Sequence, residues 1–110
     1  MLQKLGKEEF EQALKTNGKL VVVDFMTEWC PYCKMLAPLM EDIAGEHIND
    51  IAVYRVDIDE VPDIGERYDI MTVPTVFVFR DGEVKGSAVN PRTKEALYRL
   101  IFLYGTPVVQ

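Results

Sequence analysis

Leu20-Val21-Val22-Val23-Asp24-Phe25-Met26-Thr27-Glu28-Trp29-Cys30-Pro31-Tyr32-Cys33-Lys34 is the stretch on which the fold turns. Leu20–Phe25 is a continuous, mostly β-branched apolar run broken only by Asp24, the pattern of a strand buried on both faces in a parallel sheet. From Pro31 to about Ala44 the period becomes helical, with Leu36, Met40 and Ile43 on one face. Pro38 falls inside that helix, removes one backbone hydrogen bond and predicts a kink. Cys30 and Cys33 therefore lie where the first buried strand hands over to a helix.

On the amino-terminal side, Phe10, Ala13 and Leu14 recur at helical spacing, which predicts a short amphipathic helix over residues 7–16 stopped by Asn17-Gly18. No strand is evident in Met1–Gly6. Downstream, Ile51–Ile58 reads as a strand, Val61–Tyr68 as a short helix with Pro62 in its first turn, and Thr75–Phe79 as a third strand. Asp81-Gly82 is a strong hairpin signal leading into Glu83–Val89. Asn90-Pro91 reads as an N-cap followed by proline at the first helical position. Leu97, Leu100, Ile101 and Tyr104 would line the buried face of that last helix, which Gly105 and Pro107 end. The expected fold class is α/β: a mixed central sheet of four or five strands, parallel in its first half and antiparallel in its second, with helices on both faces.

The chain has 110 residues, 48% of them apolar, enough for one core and one domain spanning residues 1–110. No stretch approaches the length of a membrane span, and Met1–Glu9 carries neither the apolar run nor the cleavage site of a secretory signal. A cytoplasmic monomer without membrane attachment is expected. Twelve Lys and Arg against 18 Asp and Glu give a net charge of −6, which repels polyphosphate and argues against nucleic-acid partners.

Cys30 and Cys33 are the only cysteines. A disulfide between them closes too small a loop to restrain the unfolded chain much, so a structural staple is not expected and chemistry is indicated. A helix N-terminus offers unpaired N–H groups and a positive dipole end, which should lower the Cys30 pKa and make its thiolate the nucleophile. Cys33 lies one turn along, placed to resolve a mixed disulfide formed at Cys30. Pro31 suits the first helical turn. Half a zinc site or two inert buried thiols remain open for any such pair. Zinc needs four ligands, however, and the chain offers no second cysteine pair and one histidine, His47, expected to be solvated and remote. No metal is expected.

Several separated motifs together resemble the thioredoxin family: Val22-Val23-Asp24-Phe25, Glu28-Trp29-Cys30-x-x-Cys33-Lys34, Ala37-Pro38, Tyr68-Asp69-Ile70 before Val73-Pro74-Thr75, and Asp81-Gly82-Glu83-Val84. They run in order from about Phe10 to Leu103. The resemblance implies the thioredoxin fold, with Cys30 as exposed nucleophile and Cys33 as buried resolving cysteine. It also implies that Asp24 is the buried acid assisting proton transfer at the resolving thiol. Pro74 would be the cis-proline facing the disulfide, Val73 the residue whose backbone pairs with a substrate strand, and Trp29 the aromatic flanking the site. Physics supports some of this independently: a charge inside a buried apolar run forces a raised pKa on Asp24, unless backbone or water satisfies it. Arg55 falls where family members carry a lysine near that acid and would pull its pKa back down; a solvated or strand-edge arginine is the alternative. Trp29 as plain core, and Met26, Met35 and Met71 as an apolar rim or ordinary packing, are also open.

Two departures from the family pattern stand out. Pro31-Tyr32 replaces Gly-Pro between the cysteines and is similar to glutaredoxins, whose potentials run about −200 to −230 mV against about −270 mV for thioredoxins, which makes the dipeptide a tuning element. Asn90-Pro91 replaces a glycine of the substrate groove, and Met26 a second tryptophan. The resemblance implies a thiol–disulfide oxidoreductase that reduces protein disulfides with no bound cofactor beyond the Cys30–Cys33 disulfide. A thioredoxin reductase or another dithiol donor would recharge it. The alternatives are a glutaredoxin-like enzyme recharged by glutathione, a metal or cluster site shared between subunits, and a non-catalytic binding module.

Overall fold

Strand β2 (Leu20–Met26) is buried along its whole length, because it sits at the centre of a five-stranded sheet of order β1-β3-β2-β4-β5. The other strands are β1 (Gln3–Lys4), β3 (Ile51–Asp57), β4 (Thr75–Arg80) and β5 (Glu83–Val89). The computed structural model describes residues 2–15 and 18–105. β3 runs parallel to both β1 and β2, while β4 pairs antiparallel with β2 and β5 with β4, the mixed sheet expected.

Alternation along β2 divides the core in two. Leu20 and Val22 point to the face covered by α2 (Pro31–Glu46) and α4 (Lys94–Leu100), where they meet Leu36, Met40 and Leu97. Val21, Val23 and Phe25 point to the face covered by α1 (Lys7–Ala13) and α3 (Pro62–Arg67). Phe10, Phe25, Tyr68, Phe77 and Phe79 gather on this second face, many of their ring pairs edge-on, with centroids as close as 5.2 Å. Such pairs add about 0.5–1.5 kcal/mol each beyond the area they bury. The parity has one consequence for chemistry: Asp24 shares the face of Leu20 and Val22, beneath α2.

The Asp81-Gly82 hairpin forms as expected, with φ of 53° and 81° at its two loop residues, the left-handed pair a two-residue turn requires. Other expectations need correction. The last helix does not begin at Asn90-Pro91. Asn90 takes a left-handed conformation and donates its N–H to Pro74 O at 2.7 Å, which commits it to a loop. Thr93 caps the helix instead, its Oγ1 accepting from Ala96 N–H at 3.0 Å. A π-helical turn, Ile101–Gly105, extends α4; the side chain of Tyr104 and the Pro107 stop lie outside what is described. Helix α1 ends at Ala13, three residues early, where Lys15 N–H closes onto Gln12 O at 3.1 Å; Asn17 lies outside the described residues. The first strand exists but spans two residues. His47 is half-buried rather than solvated, packed edge-on against Tyr98 and Phe102 at the end of α2.

Candidate active site

β2 ends at Met26, and the chain turns within four residues, Cys30 N–H donating to Thr27 O at 3.4 Å, before entering α2. Cys30 is the N-cap of that helix. Its Sγ accepts the Cys33 N–H at 3.1 Å, so an otherwise unpaired helix-end donor is aimed at this sulfur, the backbone contact on which a sulfur anion can rest. Pro31, next in the chain, spares a donor the helix start could not have satisfied.

Both thiols are free, and each is only 4% exposed. Cys30 is thus not the open nucleophile the resemblance implied: Met26, Cys33 and Val73 close around it, and its Sγ lies 3.8 Å from Val73 O. Burial in this apolar pocket pushes the Cys33 thiol up to about 12; the Cys30 contact and the negative charge of Asp24 act the same way, against a backbone hydrogen bond from Thr27.

Asp24 is 1% exposed, and its Oδ1 has no hydrogen-bond partner among the described protein groups. Burial raises it from 3.8 to about 7. Arg55, directly opposite in the β2–β3 register, pulls the other way and loses. Its guanidinium is shared with Glu28, 3.5 Å away, so it is neither solvated nor devoted to Asp24.

The Val73–Pro74 bond is cis, with Pro74 buried and Val73 half-buried beside Cys30. Trp29 is 69% exposed, which removes the core reading, and its indole N–H donates to Asp59 Oδ2 at 2.8 Å. Tyr32 is exposed between the cysteines, with the Arg92 guanidinium 4.6 Å above its ring. Met26 is core, whereas Met35 and Met71 are exposed, against the expectation of ordinary packing. His47 lies at the far end of α2, and among the described residues no three His, Cys, Asp or Glu side chains converge as a metal site.

Sequence reasoning brought Cys30, Cys33, Asp24, Val73, Pro74 and Arg55 to one end of the sheet, and the structure places them there. It missed Glu28, Asp59 and Arg92, which hold Arg55, Trp29 and Tyr32. Each acts across a long sequence gap or a turn, where no local pattern advertises the partner.

The Thioredoxin family model matches residues 1–102. A thioredoxin of Staphylococcus epidermidis is 35% identical over 98 residues, 89% of this chain and 92% of the relative. A thioredoxin M-type, chloroplastic, of Spinacia oleracea is 40% identical over 106 residues, 96% of this chain and 59% of that protein. Among solved structures, a mutant thioredoxin from Halobacterium salinarum NRC-1 superposes with a TM-score of 0.85 at 33% identity, covering 98% of this chain and 93% of that one. Motif order, sheet topology, the geometry around Cys30 and Cys33 and these likenesses agree, and the chain belongs to the thioredoxin family.

Proposed function

We propose that this thiol–disulfide oxidoreductase reduces protein disulfides through Cys30 and Cys33, with Asp24 as the acid–base group. The observation that carries the reading is the Cys33 N–H donated to Cys30 Sγ at the start of α2, with a buried carboxyl beneath the same helix.

The Cys30 thiolate attacks one sulfur of the substrate disulfide; a Cys30–substrate S–S bond forms, and the other substrate sulfur leaves as thiolate and takes a proton. Cys33, which holds its proton up to about 12, needs a base at the moment it attacks. Asp24, titrating near 7, is ionised often enough at neutral pH to accept that proton and weak enough as an acid to return it. Cys33 then attacks Cys30 Sγ, expels the second substrate thiolate and leaves the Cys30–Cys33 disulfide. Two electrons have passed to the substrate, and a reductase or other dithiol donor returns two electrons and two protons.

Around this pair we assign Val73 backbone to pairing with a substrate strand, Pro74 to facing the reacting sulfurs, and Trp29 to flanking the incoming chain. Pro31, Tyr32 and Arg55 tune the pair. All these groups come from one chain, which supports a monomer working as a single domain. The cytoplasm fits a chain whose two cysteines both serve exchange; the spinach relative is named chloroplastic, so kinship alone does not set location. No described helix is long and apolar enough to cross a membrane. The relatives named above are thioredoxins, which favours a reductase over glutathione as donor.

Replacing Cys30 with serine should abolish reduction of a test protein disulfide by a small dithiol, and Cys33→Ser should accumulate a mixed disulfide. Substantial turnover by Cys30→Ser would overturn the assignment.

A further inference from the structure

On the side of the cysteines away from Trp29, three residues form a preorganised cationic seat. Tyr32, between Cys30 and Cys33, presents an exposed ring, and the Arg92 guanidinium lies 4.6 Å above its centroid. With the Asn90 amide turned so that Oδ1 faces Arg92, that oxygen accepts from Nη2 at 3.2 Å and Nε at 3.3 Å. Asn90 N–H is itself bound to Pro74 O at 2.7 Å, so the Asn90–Arg92 segment is tied to the loop whose Val73 O lies 3.8 Å from Cys30 Sγ. A narrow cleft of about 60 Å³ separates Tyr32, Met35, Leu36 and Leu39 from Asn90, Pro91 and Arg92.

Arg92 stands apart from most of the chain's basic side chains. Lys4, Lys7, Arg55, Arg67, Lys85, Lys94 and Arg99 each pair with a carboxylate. No carboxylate pairs with Arg92 among the described residues; an aromatic face and a neutral amide hold it, leaving its charge available at the surface. A guanidinium fixed in this way offers paired N–H donors to a carboxylate with little further ordering. The Trp29 flank carries the opposite sign, with Glu28 shared with Arg55 and Asp59 bonded to the indole. The rim of the reactive pair is therefore polarised, anionic on one side and cationic on the other, on a chain whose net charge of −6 otherwise disfavours acidic partners.

We infer that Arg92, seated on Tyr32 and Asn90, selects polypeptide disulfides that carry an aspartate or glutamate beside the cysteine attacked by Cys30, by pairing with that carboxylate across the cleft. The inference rests on the disulfide-reductase reading and adds the class of substrate. The charge pair forms as the substrate docks and is partly desolvated there, so it acts on KM more than on the exchange step.

The test uses the full chain and three peptides with one intramolecular disulfide each, identical except for Glu, Gln or Lys next to the reactive cysteine. The wild type should favour the Glu peptide over the Lys peptide by about tenfold in kcat/KM at low salt, mainly through KM, with the preference shrinking as salt rises. Arg92→Gln should level the three rates, Arg92→Lys should keep part of the ranking, and Arg92→Glu should invert it. Equal wild-type rates on the Glu and Lys peptides, with the Gln peptide turned over, overturn the inference and leave the reductase reading standing. An unchanged ranking in Arg92→Glu, with all three rates shifted together, also overturns it and points to tuning of the cysteines instead. No turnover of the Gln peptide overturns the reductase reading, and the inference with it.

Discussion

A carboxyl that keeps its proton to about pH 7, in place of an ordinary 3.8, makes Asp24 a stability liability as well as a chemical asset. Between those two values the folded chain holds a proton the unfolded chain has released, so stability is full at low pH and falls as pH rises through about 4 to 7. The ionised form buried beneath α2 costs on the order of a few kcal/mol above pH 7. Asp24→Asn should therefore stabilise the fold by about 2–4 kcal/mol at pH 8 and by little at pH 4, read from denaturant midpoints. The same variant should slow release of the mixed disulfide while sparing its formation, because only the Cys33 step calls for a base. An equal stability change at both pH values would show that the carboxyl does not titrate between them. Asp24 was legible because a charge inside Leu20–Phe25 admits few explanations. Arg92 was not legible, since its partners Tyr32 and Asn90 meet it through an aromatic face and an amide rather than through any sequence pattern.

At the scale of elements, a local signal held where no distant group competed for its backbone and failed where one did. The Asp81-Gly82 turn needs two left-handed residues in a row, and its chemistry is all local. Asn90-Pro91 carries an equally clear local signal for a helix start, yet Pro74 O, 16 residues back in the chain, takes the Asn90 N–H and moves the start to Thr93. Thr93→Ala should then cost about 1 kcal/mol through loss of its bond to Ala96 N–H, seen as a lowered Tm. No loss of stability in Thr93→Ala would return the helix start to Asn90. Strand β1 was invisible for a different reason. Two residues, Gln3 and Lys4, are too few to show alternation, and they are strand only because Tyr54 and Arg55 of β3 offer a free edge. Met35 and Met71 could read as an apolar rim or as core on hydrophobicity alone, but a helix start and a loop leave both exposed.

The whole molecule places its chemistry at one end of the central sheet. β2 and β3 run parallel and finish together, and α2 begins just beyond β2, so the Cys30 N-cap, the Asp24–Arg55 pair and the Trp29–Asp59 contact share that end. The antiparallel pairing of β4 with β2 brings the opposite end of another strand to the same place, setting Val73-Pro74 against Cys30. The parallel crossover and the antiparallel pair were readable because β2, α2, β3 and the β4–β5 hairpin are strongly patterned; the strand order and the closing of Val73 over Cys30 are products of their assembly. Burial of Cys33 itself, which pushes its thiol up to about 12, leaves little ionised Cys33 to favour the reduced state and so predicts a reducing pair despite the Pro31-Tyr32 dipeptide. Equilibrating the chain in redox buffers, alkylating free thiols and weighing the products tests the central claim most directly. A single two-electron transition of Cys30 and Cys33 at about −250 mV or lower is the expected result. A transition at about −200 mV or higher, or none at all, would contradict a protein-disulfide reductant built on this pair.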